Sequence, residues 1–268
     1  MLPTTPMTPR MPARRSRLLA LIAAGAALLI STSSFAWTVV DAGAGQAGPT
    51  MAAARPRTLT ADELKPRIVK KFIPFTQKRR NQMKWYSNRH YGDYTEVLSD
   101  PQVIVRHFTT SHQMMDAWWY FAGNTPARGE RPGVCSHFIL DTDGTIYQVM
   151  PLDIRCRHAT GLNNIAIGIE DVGVSDVEIL RNQKMMESSY RLTLWLMALY
   201  GIEARNVIGH SEIIFSPLHH DLVPEFRCMR HSDWSRKHMR LYRTELRERA
   251  VEAGVPIGPP VQWVDPDC

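Results

Sequence analysis

Three segments of this 268-residue chain end an apolar run or a loop on a side chain able to hold a metal. They are His107 after Val103-Ile104-Val105, His210 after Val207-Ile208-Gly209, and Asp233 within Arg230-His231-Ser232-Asp233-Trp234. A strand end is rigid and holds an imidazole in fixed geometry. Two imidazoles and one carboxylate would leave zinc a fourth position for water, which hydrolytic zinc sites require. Spacing alone does not select this triple, because the chain has ten histidines. His219 and His220 beside Asp221 offer rival ligands, although a solvated loop cluster is the simpler reading; His137, in a hairpin, reads as structural. Cys135, Cys156, Cys228 and Cys268 contain no CxxC spacing and read as one disulfide plus spare thiols in an oxidising compartment.

The elements that must position these residues follow from hydrophobic periodicity. Residues 101 to 108 form an apolar, β-branched run and read as a buried strand, turning at Thr109-Thr110-Ser111 into an aromatic-rich helix from Met114 to Phe121. On that helix Trp118, Trp119 and Tyr120 read as core, with stacking on a glycan as the alternative. Ser136–Leu140 and Thr145–Val149 flank Asp143-Gly144, a strong hairpin signal. A strand follows at Asn164–Glu170, then one long helix over about 180–200 with Gly201 as its C-cap, a short strand at Asn206–Gly209, and a closing helix from Trp234 to Val251. Strands interleaved with helices predict an α/β domain around a central mixed sheet flanked by helices.

The first 36 residues read as an export address: Arg10, Arg14, Arg15 and Arg17, an apolar run from Leu18 to Ile30, and a small-x-small site at Ser34-Phe35-Ala36. That run is too short for a stable membrane span, which needs roughly 20 residues. An uncleaved leader acting as an anchor is the alternative. The expected organisation is a signal peptide (1–36), a flexible linker (37–60), a basic N-terminal wrap (61–100), the catalytic domain (101–253) and a C-terminal tail (254–268), with the protein exported to the periplasm or cell wall as a monomer. Losing the leader, which carries four Arg and no acid, takes the net charge from +6 to +2. The remaining cations concentrate between Lys65 and Arg89, interleaved with Phe72, Phe75, Trp85 and Tyr86. On an exported chain of small net charge such a patch argues for anionic wall polymers or a plain solvated face, and against nucleic acid.

Four segments, in order, resemble motifs of the type 2 N-acetylmuramoyl-L-alanine amidase family, which includes phage amidases and peptidoglycan recognition proteins. Residues 103–109 (VIVRHFT) resemble the family's IVIHYT strand, and 136–146 (SHFILDTDGTI) its SAHYLI..DGTI hairpin. Arg157-His158 with 163–170 (NNIAIGIE) resembles WHAG…N..SIGIE, and 207–213 (VIGHSEI) resembles VVGHSDI. The resemblance implies a single amidase or peptidoglycan-recognition-like domain, zinc held by His107, His210 and Asp233, and hydrolysis of the amide between the lactyl group of N-acetylmuramic acid and L-alanine. It makes Glu170 the general base, places His158 and Asn164 in contact with substrate, and implies peptidoglycan or muropeptides as partners. Residues 230–235 are similar to the family's RKTDPG segment but depart from it: His231 stands where many members have Lys, and the Pro-Gly after the ligand is absent. An imidazole at 231 can still stabilise charge on the attacked carbonyl, with a titration expected near neutrality. The alternative is a recognition protein of the same fold that binds peptidoglycan without cutting it.

Overall fold

The computed structural model describes residues 57–266. The expected leader, most of the linker and Cys268 lie outside the described residues. Six strands form one mixed sheet in the order β1-β4-β3-β5-β2-β6: β1 Val69–Lys70, β2 Val103–Phe108, β3 Phe138–Leu140, β4 Ile146–Gln148, β5 Ala166–Asp171 and β6 Val207–Gly209. Only β3 and β4 pair antiparallel, across the expected hairpin, where Gly144 N–H donates to Asp141 O. β2 lies between β5 and β6, parallel to both, with His107 level with Glu170.

Alternation along β2 and β5 sorts their side chains between two cores. Ile104, Ile167 and Ile169 join the larger cluster with Leu192 and Leu196 of helix α5 (Gln183–Tyr200) and Met239, Tyr242 and Leu246 of helix α7 (Arg236–Ala253). Val103, Val105 and Ala166 join the smaller one with Leu162, Ile208, Ile213 and Ile214. By the same alternation Arg106 and Asp171 face the helices, while His107 and Glu170 face the other side. Arg106 and Asp171 are fully buried and form an ion pair. The guanidinium also donates to Tyr242 Oη (3.0 Å) and lies over the rings of Trp234 and Tyr242.

The remaining helices are α1 (Ala61–Leu64), α2 (Gln77–Tyr91), α3 (Met114–Ala122), α4 (Asp176–Arg181) and α6 (Pro224–Arg227). The segment read as a wrap contributes both edge strand β1 and the 15-residue α2. Part of its basic character is spent internally: Arg79 is buried and donates to the carbonyls of Phe121, Gly133 and Val134, Arg80 and Lys84 pair with Glu96, and Arg89 pairs with Glu130 and Glu225. The single helix expected over 180–200 is two. Asn182 leaves helical geometry (φ −82°, ψ 92°) and its side chain accepts from Met185 N–H, capping α5. Gly201 ends α5 in the left-handed conformation as expected (φ 68°). The tail is packed: Val255 is buried, Val264 N–H donates to Phe215 O, and Trp263 lies under Arg236 and Arg243.

Removing one member of a buried ion pair leaves an uncompensated charge, which costs about 3–5 kcal/mol. Asp171→Ala is therefore expected to lose stability of that order in urea denaturation, whereas an exposed control such as Glu248→Ala stays within about 0.5 kcal/mol of the parent.

Candidate metal centre

His107 stands near the C-terminal end of central strand β2, and His210 follows β6 directly, at the start of a 3-10 turn over His210–Phe215. Asp233 comes from the loop ahead of α7. One donor atom from each of these three lies within 4.8 Å of the others, and among the described residues no other group meets this criterion. Asp233 is the hub. Both of its carboxylate oxygens are 3.0 Å from His210 Nδ1, and one is 3.4 Å from His107 Nδ1. The two rings meet edge to face, with centroids 4.3 Å apart.

What aims Asp233 is the residue after it. Trp234 is fully buried and holds a positive φ of 51°, a conformation that a bulky side chain keeps only when its surroundings over-determine it. Here they do. Its Nε1–H donates to His107 O (3.1 Å) and Asp171 Oδ2 (3.0 Å), and its backbone N–H donates to Asp176 Oδ1 (2.8 Å). Ser211 Oγ–H donates to Trp234 O, and Ser211 N–H to Asp233 O. Gly209 is obligatory at this junction, because a Cβ there would meet Trp234 O at 2.1 Å.

The protonation states suit metal binding, which needs neutral imidazoles and an ionised carboxylate. Burial, reinforced by His210, lowers His107 to about 4. Burial pushes the Asp233 carboxyl up, but the close imidazoles of His107 and His210 outweigh it and hold the group below its usual range. Two nitrogens and one carboxylate are a donor set that zinc takes, so these residues fit the expected ion.

The three ligands line a cavity of about 260 Å³ together with Phe108, Thr110, Phe121, Val134, Cys135, His158, Glu170, His231 and Ser232. Burial raises the Glu170 carboxyl well above its ordinary value, with Asp233 and Asp171 adding to the rise. His231 stacks on His210, ring centroids 3.5 Å apart, and its buried Nε2 has no hydrogen-bond partner. Burial and His210 lower its imidazole to about 3, so it is neutral at pH 7 and the near-neutral titration expected from sequence is displaced. His158 is buried against His107, whereas Asn164 lies outside the residues lining the cavity. The neighbouring Asn163 is the one that works structurally: its Oδ1 accepts from the backbone N–H groups of His158 and Ala159.

The rival histidines fall elsewhere. His219 and His220 line a separate cavity with Asp221 and Arg227. His137 is structural as expected, accepting from Gly168 N–H at Nδ1 and facing Ile154 O with Nε2. Cys135 and Cys156 are free thiols and Cys228 is disulfide-bonded. The aromatic trio on α3 divides: Trp118 is part-buried and donates to Lys71 O, while Trp119 and Tyr120 are exposed. Arg106, Asp171, Asp176 and Trp234 support the site and were not singled out from sequence. For Arg106 and Asp171 the signal was a charge inside an apolar strand run, and for Trp234 a tryptophan directly after the ligand; Asp176, at the start of α4, carried none.

A family model described as N-acetylmuramoyl-L-alanine amidase matches residues 98–224, which contain His107, Glu170 and His210. The matched stretch is amidase-like. The third ligand of this amidase domain, Asp233, lies beyond the matched stretch and is supplied by the geometry. Among solved structures, the chain is similar to the endolysin amidase LysCS from Clostridium intestinale URNW (26% identity over 54% of this chain and 81% of that one, TM-score 0.41). It is also similar to the amidase LysC from the same organism (21% identity, 68% and 99% covered, TM-score 0.44) and to the Drosophila peptidoglycan recognition protein SA (18% identity, 44% and 72% covered, TM-score 0.38). No curated protein matches the chain. With its metal-ligand triad and Glu170 in one cavity, the domain carries a catalytic site of the amidase type.

Asp233→Ala is expected to leave two imidazoles and no carboxylate, and to lose stoichiometric zinc on dialysis as read by elemental analysis. Retention of one equivalent would show that another side chain is the third ligand.

Proposed function

We propose that this chain is an exported zinc hydrolase that cuts the amide bond between the lactyl group of N-acetylmuramic acid and the L-alanine of peptidoglycan. The observation that carries the reading is the convergence of His107, His210 and Asp233 on one point of a cavity that Glu170 also lines. When bound there, zinc would polarise the scissile carbonyl and bring the pKa of water toward about 7.

The remaining work falls to the protein's own groups. Glu170 takes the proton of the attacking water and returns it to the departing L-alanine nitrogen. Its raised pKa suits both halves of that task, since an acid–base catalyst works best when its pKa lies near the operating pH. His231, neutral and lining the cavity, donates to the oxygen on which negative charge develops, in place of the family's lysine. His158 lines the cavity, and with Asn164 at the approach to β5 it is assigned to substrate contact. Export rests on the leader at residues 1–36; among the described residues no helix is long and apolar enough to cross a membrane.

The reading is tested by incubating the zinc-loaded protein with purified peptidoglycan, with and without a chelator, and identifying released ends by mass spectrometry. Chelator-sensitive peptides with a free L-alanine amino terminus are expected; tight binding with no new ends would make the protein a recognition module. In the same assay Glu170→Gln is expected to lower turnover by about 10² to 10⁴ while keeping its zinc. His231→Ala is expected to reduce kcat by about 10², with a smaller change in KM, because the contact it removes strengthens in the transition state.

A further inference from the structure

His158 sits one layer behind the metal ligands. Its Nδ1 is 3.1 Å from His107 Nε2, and its Nε2 is 3.3 Å from Ala166 O. A carbonyl oxygen only accepts, so His158 Nε2 carries the hydrogen. No carboxylate hydrogen-bonds this ring, and its ring neighbours are His107 and His137, so it is the neutral imidazole and its Nδ1 holds a lone pair. The hydrogen in the contact between the two histidines therefore belongs to His107 Nε2. It follows that His107 Nδ1, the nitrogen facing Asp233 at 3.4 Å, also carries a lone pair. Two acceptors facing each other at that distance call for a cation between them.

The protein builds this relay with care. Asn163 Oδ1 holds the backbone N–H groups of His158 and Ala159 at 2.8 and 2.7 Å, fixing where the ring starts. Gly168 leaves room for the ring on the face of β5, because a Cβ there would meet His158 Cγ at 2.8 Å and Cδ2 at 2.9 Å. The glycine between Ile167 and Ile169 is thus explained by the close approach of an imidazole to the strand, its own φ lying outside the positive range.

We propose that His158 is a positioning residue for the metal centre: by accepting from His107 Nε2–H it fixes His107 as an Nδ1 ligand and turns that ring toward Asp233 and His210. The inference rests on the metal centre proposed above. It gives His158 a role that precedes any contact with substrate, and so predicts a defect in metal binding measurable with no substrate present.

The test is zinc affinity, by competition with a chromophoric chelator, alongside long-range ¹⁵N–¹H spectra of histidine-labelled protein. In the zinc-loaded wild type, His107 should show a protonated Nε2 and a metal-bound Nδ1. His158→Phe removes the acceptor and is expected to bind zinc about 10- to 100-fold more weakly, the usual cost of losing a hydrogen bond behind a ligand. His158→Gln, whose Oε1 can accept from His107 and whose Nε2 can donate to Ala166 O, should recover most of that loss, which a purely space-filling role would not allow. Unchanged zinc affinity in a folded His158→Phe protein would overturn the proposal, as would a wild-type spectrum with His107 protonated at Nδ1. The latter decides the question even if the phenylalanine variant fails to fold. A wild type that binds no zinc would instead overturn the metal centre itself, a failure visible without any variant.

Discussion

The buried pair of Arg106 and Asp171 is the constraint around which the catalytic end of this domain is organised. Taking two charges out of water costs several kcal/mol each, so the pair is not explained by stability alone. What it supplies is register. Arg106 precedes His107 and Asp171 follows Glu170, so both charges sit on the helix-facing side while the chemistry sits on the other. A slip of one residue in either strand would turn a charge into the smaller apolar core and drive a catalytic group among the helices. The same pair governs the third ligand, since Trp234 donates to Asp171 and lies under Arg106. One ion pair thereby ties together three chain segments that are distant in sequence.

The cavity holds several ionisable groups in little space, and each meets burial differently. Asp171 has an arginine. Asp233 has two imidazoles, which keep it ionised against the cost of desolvation. Burial raises Asp171 despite that arginine, and Glu170, which has neither kind of partner, is raised well above its ordinary value. His107, His158 and His231 are held neutral by burial and by neighbouring imidazoles, so these rings add no positive charge against an incoming cation. This division of labour between carboxylates follows from what each one touches, not from residue type.

Much of this was legible in the sequence. His107, His210 and Glu170 close apolar β-branched runs, and those runs became β2, β6 and β5; the Asp143-Gly144 hairpin and the Gly201 cap also formed as expected. The less visible parts have physical reasons. A two-residue strand such as β1 has no period to detect. The break at Asn182 depends on a side chain accepting a backbone N–H, which apolar spacing across 180–200 does not reveal. Arg79 sits among exposed cations in sequence, yet it serves carbonyl groups of a loop more than forty residues away, and no local pattern distinguishes it from its neighbours. Trp234 looked like a departure from a family pattern. In three dimensions it is an anchor that aims Asp233 from the core.

The hydrogen bond from Leu59 N–H to Ala253 O deserves to be followed outward. It joins the threshold of the fold to the last residue of α7, and Gly254 packs closely against Thr58 beside it. The first and last helices of the fold are therefore clamped together at one seam, and the tail beyond it carries Val255 back into the core. A pull applied at Leu59 would enter at the C-terminal end of α7, the helix whose opposite end leads back to Asp233. That end lies eighteen residues of helix away from the load, so the seam and not the metal centre would yield first.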